Sequence, residues 1–487
     1  MSSGAFLGAA VDAWWRDRHG SPERVLQTQR RRLARLIAHA QQQVPLYRNL
    51  YAGIDPRRFD LQTLPVVDKA MVQDRFADTL AGDAVGLDEV HSFGAHAASG
   101  ALLHDRWMLF HTSGTTGRIG YFLVDQRSWA RQVGVLFARV MRDRLTLGNI
   151  LRFGPWRRFR VAHLVATGGP YVSFLFSTFR TALTGLVARQ VALSISAPRD
   201  ETLRVLEAYQ PHYLHGYASS VDALAREQLA GGLHIAPDVI SLGSESVTPW
   251  MRSTLERAFP ATEIRETYGA TECPVMANQC REGSLHINSD ACLLEAVDAE
   301  GRAVPPGQVS TRVLLTNLLN YGQPLIRYEL SDQIIVAPEP CRCGSPFPAV
   351  RVIGRTDDTL TLRREDGGVE ICPPIPFELL FLDLRGLAQY QLLHEVQNQL
   401  QVRAVLEQGV DVAAVTQVLL QRFEAWKHDR GLAASVVVDL EIVDAIPRDP
   451  RSHKVRQIIS RVPSLDPPPT GARAIAMGHQ ERAGGRS

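Results

Sequence analysis

The sequence predicts an α/β chain in two parts. A large N-terminal layered α/β domain with a β-rich subdomain spans 1–354, and a small mobile C-terminal α+β domain spans 355–462. Two observations predict this. First, apolar runs of strand length at 161–166, 191–195 and 239–242 alternate with helical-period stretches at 127–141, 200–209 and 219–229. That alternation is expected of mostly parallel strands covered by helices. Second, the pattern changes after residue 389 to two strands (Gln389–His394 and Gln399–Leu406), a helix after Asp411, and a strand at 435–443. A chain of 487 residues is long enough for more than one core.

Composition narrows the function classes. With 45% hydrophobic and 21% charged residues and a net charge of +2, nothing points to nucleic acid or a membrane surface as partner. No apolar run reaches the ~18 residues of a membrane span. The N-terminus lacks a charged region followed by an apolar one, so no secretion signal is expected. Six cysteines in so long a chain do not make a disulfide scaffold. A reducing, cytoplasmic setting is the expectation.

Residues 1–20 carry little pattern, and Trp14 and Trp15 are expected to pack on the body. From Glu23 to Val44, Leu26, Leu33, Ile37, Ala40 and Val44 recur at helical spacing. Arg30, Arg31, Arg32 and Arg35 on that helix read as a solvated basic face, since no aromatic residues interleave them. Next, the apolar runs Trp107–Phe110 and Tyr121–Val124 predict strands around the loop His111-Thr-Ser-Gly-Thr-Thr-Gly-Arg-Ile-Gly120. Glycine lets backbone approach a ligand, and successive amides of such a turn form an anion-binding concavity. A phosphate-binding loop at Thr112, Ser113, Gly114, Thr115, Thr116 and Gly117 is one reading; an ordinary surface turn is the other. It is not a Walker A loop, because Arg118 and a strand follow Gly117 in place of Lys-Ser/Thr and a helix.

Downstream, Ala166–Tyr171 carries turn chemistry, and Ser241–Ser246 puts Ser244 and Glu245 at a strand end, where open α/β sheets bind ligands. Thr267-Tyr-Gly-Ala-Thr-Glu272, Leu325-Ile-Arg-Tyr-Glu-Leu-Ser-Asp332, Gly354-Arg-Thr-Asp-Asp358 and Ile446-Pro-Arg-Asp-Pro-Arg-Ser-His-Lys-Val-Arg456 follow in that order. Residues 463–487, rich in Pro, Gly and Arg, read as a disordered tail. No Gly-x-Ser-x-Gly elbow anchors a hydrolase triad. His111 and His215 lie near the expected cleft with hydrogen-bonded structural roles as the default.

The ordered set, opened by Thr-Ser-Gly-Thr-Thr-Gly, resembles the adenylate-forming superfamily, and within it the phenylacetate–CoA ligase and capsule-biosynthesis-type branch. The resemblance spans most of the chain. It implies ATP-dependent activation of a small-molecule carboxylate to an acyl-adenylate, then transfer to a thiol or amine acceptor, with ATP, Mg²⁺ and coenzyme A as the cofactors in view. It implies Gly-x-Glu at 243–245 against adenine and ribose. Tyr268 would stack on the purine, Gly269 would admit the nucleotide and Thr271 would bond phosphate. Glu272 would give Mg²⁺ a hard oxygen, and Asp332 would accept the ribose hydroxyls. Arg355 would reach ribose or phosphate, Asp357 would be the hinge, and Lys454 would swing in for adenylation. The sequence departs from the family at Arg118, at Ser331 and His453 (both usually glycine), and in Arg364–Val369 and Cys372-Pro-Pro, where a loop usually approaches the thioester. Aromatic residues at Tyr171, Phe174 and Phe176 suit an aryl or medium apolar acid.

Cys280, His286, Cys341 and Cys343 form a potential four-ligand set; on spacing alone, zinc and unrelated buried thiols both stay open. Leu285-His-Ile287 and Cys341-Arg-Cys-Gly344 also resemble pairs in phenylacetate–CoA-ligase-like proteins, which implies a structural zinc. Cys273, Cys292 and Cys372 read as ordinary thiols. Two competing readings remain: a non-catalytic relative that holds nucleotide or acyl ligand, and a scaffold whose zinc region and basic helix dock a partner.

Overall fold

A computed structural model describes residues 2–82, 85–96, 100–112, 120–146, 148, 153, 157–167, 171–247, 249–355, 360–372, 377, 380–381, 384–448 and 455–462. Residues 113–119, Asp357, Lys454 and the 463–487 tail lie outside them. Their expected roles therefore have no structural description here.

The central element is a nine-stranded sheet. One half is parallel: β3 (Phe159–Val165), β4 (Ala188–Ser194), β5 (Tyr213–Tyr217), β6 (Val239–Gly243) and β7 (Glu263–Tyr268), in the order β4-β3-β5-β6-β7. The other half continues from β7 as antiparallel β8 (Ala277–Gln279), β9 (Leu285–Ile287), β14 (Ala349–Arg355) and β13 (Asp332–Val336). Helices Arg199–Tyr209, Ala218–Leu229 and Pro249–Ala258 connect the parallel strands. Such crossovers cover a parallel sheet, so β6 is buried along its whole length. The runs read at 161–166, 191–195 and 239–242 fall on β3, β4 and β6, and the helical stretches at 200–209 and 219–229 on the helices between strands, whereas β5 and β7 were not read as strands.

Strands β1 (Trp107–His111) and β2 (Tyr121–Asp125) pair antiparallel with His111 opposite Tyr121. A three-stranded sheet of β10 (Cys292–Val297), β11 (Arg312–Asn317) and β12 (Tyr328–Leu330) packs into the same core as the N-terminal helices. A separate apolar cluster from Leu360 to Ile458 holds the C-terminal part. There β17 (Leu387–Val396) and β18 (Gln399–Leu406) pair with each other and with β20 (Ile458–Ser460) and β19 (Val437–Ile442). The strand at 435–443 is thus not the last. Ile458–Ser460 joins β17 in parallel through residues too few to show a period.

Four expectations at the N-terminus need correction. Residues 3–19, read as patternless, form a helix capped by the Ser2 hydroxyl. It packs closely on the helix Gln126–Val140, where Gly134 meets the backbone of Phe6 and Ala10, and buries Phe6, Ala10, Ala13 and Asp17. On the next helix, Pro22–Gln43, Leu26 is 44% exposed, while Val25, Leu33, Leu36, Ile37 and Ala40 are buried. Arg32 of the basic cluster donates to Asp12 at 2.6 Å and pairs with the Asp290 carbonyl, so it ties two helices to the body. Trp15 is 58% exposed, whereas Trp14 packs against the core. Among the described residues no helix is long and apolar enough to cross a membrane.

Arg139 clamps this region. Its guanidinium, 4% exposed, donates to both Asp290 oxygens at 2.9 and 3.0 Å, to Asn288 and to the Ala13 carbonyl. Removing one partner would leave an uncompensated buried charge on Asp290. Arg139→Ala is therefore expected to cost roughly 3–5 kcal/mol, measured by denaturant unfolding with an unchanged slope. A loss under 1 kcal/mol contradicts the clamp.

Candidate functional site

The sheet topology builds the site. In open α/β sheets ligands bind outside the carboxyl ends of the parallel strands. Here β6 ends at Gly243 and β7 at Tyr268, and Ser244–Glu245 and Gly269–Glu272 follow directly. Asp332 opens β13 and Arg355 closes β14, and the two are register partners. One large cleft is lined by Thr112, Ser244, Glu245, Tyr268, Gly269, Thr271, Glu272, Asp332 and Arg355. These are all the candidate nucleotide-site residues that fall within the described segments.

The contacts show what each is held by. The Tyr268 hydroxyl donates to Asp332 Oδ2 at 2.9 Å, and Arg355 lies 3.8 Å from the same carboxylate. Burial, then the Asp332 charge, pushes the Tyr268 phenol well above its ordinary value, so it stays a donor. Arg355 Nη2 donates to the Ser331 hydroxyl at 2.5 Å. Ser331 is not among the positive-φ residues, so its backbone does not need the usual glycine, and the serine instead tethers the arginine. Burial raises the Glu272 carboxyl; the nearby Arg355 and Lys69 charges oppose that shift. Burial, then the neighbouring Glu272 charge, pushes the Tyr328 phenol well above its ordinary value. Thr112 and Gly120 pin the two ends of the hydroxyl-rich loop. Thr112 N donates to Gly120 O, and Gly120 N to Thr112 Oγ1, both at 2.8 Å.

Two backbone positions are specialised. Ser244 sits at φ +68°, the left-handed region that favours glycine. A non-glycine there marks strain held by its surroundings, a recurrent feature of functional loops. At Gly269 a Cβ would meet the Pro274 carbonyl oxygen at 2.6 Å, so only glycine fits the turn.

Sequence reasoning missed Lys69. It follows Asp68, which caps the helix Lys69–Asp74, and it lines the same cleft. A Cβ on Gly120 would fall 2.9 Å from its Cε, which puts the lysine at the loop's base. No motif around Asp68-Lys69 announced it; proximity to the loop is a purely tertiary fact. Beside it, Leu136, Tyr171, Val172, Ser173 and Phe176 wall another part of the cleft. Phe174, expected with them, packs instead against Val165, Ala166 and Tyr217, because the helix Val172–Thr178 turns it away. His111 bonds the Thr112 carbonyl, and His215 the Ser241 carbonyl. Burial lowers both, His215 to about 4, so they are neutral rings at pH 7.

Away from the cleft, β8, β9 and the loop before β14 bring Cys280, His286, Cys341 and Cys343 together, with ligand atoms within 4.8 Å of one another. Cys280 and Cys341 sulfurs are 3.9 Å apart, and Cys343 Sγ is 3.3 Å from His286 Nε2. Tetrahedral ligation with Zn–S near 2.3 Å puts sulfurs about 3.8 Å apart. His286 Nδ1 lies 2.8 Å from the Phe347 carbonyl, and as its donor leaves Nε2 facing the thiols. Gly344, at φ +72°, closes the Cys341–Gly344 turn.

The fold matches solved structures of 2-hydroxyisobutyryl-CoA ligase. Against the one described as the postadenylation state with 2-HIB-AMP, the TM-score is 0.64 at 20% identity, over 92% of this chain and 91% of that one. Against the thioesterification state with 2-HIB-AMP and CoA it is 0.53 at 22% identity, over 92% and 91%. Fold, cleft and ordered motifs define an adenylate-forming ligase of the acyl-CoA ligase class. Within that class the chain is a homologue of phenylacetate–coenzyme A ligases. It is 29% identical to the Thermus thermophilus protein over 392 residues (76% of this chain, 78% of that protein). It is 24% identical to the Pseudomonas putida one over 393 residues (78% and 80%). No family model matches the sequence.

The close fit at Gly269 yields a test. Gly269→Ala is expected to destabilise the chain by roughly 1–3 kcal/mol, because backbone rather than a flexible side chain must move. Thermal unfolding reads this, and an unshifted melting temperature contradicts it.

Proposed function

We propose that this chain activates a carboxylic acid with ATP and passes the acyl group to a thiol, coenzyme A being the acceptor named for its relatives. One observation carries the reading. Residues from separate stretches of the chain (Thr112, Tyr268, Glu272, Asp332 and Arg355) line one cleft. In the first step a carboxylate oxygen attacks the α-phosphorus, and the bond to pyrophosphate breaks. In the second, the acceptor sulfur attacks the acyl carbonyl and AMP leaves. The protein's part is positioning and charge neutralisation at phosphorus.

The Tyr268 ring would face the adenine, and Asp332 would exchange the Tyr268 hydroxyl for the ribose hydroxyls. Arg355 would fork onto the α-phosphate. Thr112, Thr271 and the loop residues Ser113, Gly114, Thr115, Thr116 and Gly117 would donate to phosphate oxygens. Lys69 would add a positive charge near the loop that lacks the usual lysine. Glu272 would hold Mg²⁺, whose charge would offset that of the phosphates. Lys454 is assigned to the adenylation step on its motif. We keep the division near residue 354 because the second apolar cluster begins at Leu360, just past Arg355, with Asp357 as hinge. The apolar wall of Leu136, Tyr171, Val172 and Phe176 favours an aryl or medium apolar acid. Six unpaired cysteines suit a reducing cytoplasm.

For Cys280, His286, Cys341 and Cys343 we propose a structural zinc. The donor set and spacing fit it, and the four protein ligands would leave no open position for chemistry.

Three outcomes are expected. Pyrophosphate release tested with a panel of acids should respond to apolar or aryl acids. Lys69→Ala and Glu272→Ala should each lower it at least about tenfold, the scale of losing a charged interaction. If ATP binds while no acid stimulates release, the enzyme reading gives way to a binding role. A preference for amines over coenzyme A changes the acceptor. In the pH profile, the raised Glu272 carboxyl must ionise to hold a cation, so activity should rise with pH through a midpoint above 4.5; a midpoint at or below it contradicts that role. Elemental analysis should find about one zinc per chain, lost in a Cys341→Ser/Cys343→Ser variant with a lowered melting temperature. A metal-free, equally stable wild type removes the zinc.

A further inference from the structure

We propose that Glu245 is a positioning residue for adenylation, a carboxylate latch that holds the C-terminal segment over the cleft; this rests on the ligase reading above. The resemblance put Glu245 against adenine and ribose. In the structure its two oxygens are committed elsewhere. Oε2 accepts the Ser219 amide at 2.8 Å, and Oε1 accepts the Val455 amide at 3.0 Å. Val455 is the residue after Lys454.

The local structure explains why a carboxylate does this. The helix Ala218–Leu229 has Tyr217 at its N-cap and no side-chain cap, so its first amides need an outside acceptor. Glu245 supplies one, and its charge is favourable at a helix N-terminus. The left-handed turn at Ser244 redirects the chain immediately before Glu245, at the end of β6. One oxygen is used by this helix. The other is free to take an amide from the C-terminal part, and Val455 provides it.

Neighbouring contacts make the attachment a specific one. Arg448 donates to the hydroxyls of Ser219 at 3.4 Å and Ser220 at 3.2 Å, on the same helix start. On its other side the 455–458 segment is held by the small sheet. Gln391 Nε2 donates to the Arg456 carbonyl at 2.9 Å, and Ile458 pairs with Leu392 of β17. Val455, Arg456, Gln457 and Ile458 line the cleft themselves. Glu245 therefore ties a cleft-lining segment of the C-terminal part to the large sheet through one charge-assisted bond. If the C-terminal part rotates for the second step, that bond must break. The Ser219 bond, internal to the large part, need not.

Two measurements test this. In the unliganded full chain, Glu245→Ala should raise amide hydrogen exchange across 455–460 at least about tenfold, the scale of losing a hydrogen bond to a charged group. Glu245→Gln, which keeps one acceptor oxygen and the shape, should fall between the two. In steady-state pyrophosphate release, Glu245→Ala should lower kcat by a similar factor while KM for ATP stays within twofold. Unchanged exchange at 455–460 overturns the latch whatever the activity. So does a raised KM for ATP at unchanged kcat, which would return Glu245 to the nucleotide. A wild type that releases no pyrophosphate with any acid, yet shows the exchange effect, would sink the ligase reading and leave the latch standing.

Discussion

Strand β7 is the constraint the rest depends on. It accepts a parallel partner, β6, on one side and an antiparallel one, β8, on the other. Connections in the parallel half leave ligand-facing turns at the carboxyl ends of the strands. In the antiparallel half, alternate strands begin at that same edge. The turn after β7 carries Gly269–Glu272 and leads into β8 there, while Asp332, which opens β13, and Arg355, which closes β14, are register partners that line the same cleft. The Tyr268–Asp332 hydrogen bond spans the two halves directly.

That placement has an electrostatic cost. Glu272 and Asp332 sit near one another, and burial raises Glu272 and Tyr268. Buried polar groups are tolerated only when partnered. Tyr328, Tyr268, Arg355 and Ser331 supply the partners here. Under the proposed function these bonds would be exchanged for those of a nucleotide. The positively charged Lys69 and Arg355 lie near the two carboxylates, so the cleft holds both signs, as the proposed site for a metal-bound triphosphate would require.

The C-terminal part is held by a few polar contacts to the large part. Arg448 to Ser219 and Ser220, Val455 to Glu245 and Arg226 to the Ala388 carbonyl are polar and replaceable. A joint of this kind can reopen, because part-buried polar bonds can be exchanged for bonds to water at modest net cost. The apolar cluster of the C-terminal part runs from Leu360 to Ile458 without a member from the large sheet. Its stability therefore does not depend on the pose it adopts.

Much of this was legible in the residues alone. The apolar runs at 161–166, 191–195 and 239–242 marked three of the five parallel strands, β3, β4 and β6, since period and turn chemistry are local properties. Tyr268, Glu272, Asp332 and Arg355 were recognisable because their motifs are short and contiguous. The Cys/His set was visible as residue types, though not as a cluster until β9 paired with β14 and brought Cys341 and Cys343 to His286. Other features depended on tertiary structure. Lys69 reaches the site from the start of the helix Lys69–Asp74, Ile458–Ser460 is a strand only because β17 offers it an edge, and the first helix is buried by its neighbours rather than by its own pattern. Glu245 shows the limit most plainly. Its position was readable from a motif, but its partners, Ser219 and Val455, are distant in sequence and meet it only when two separate cores are packed together. Residue type sets what a side chain can bond; which group lies within 3 Å of it is decided by packing.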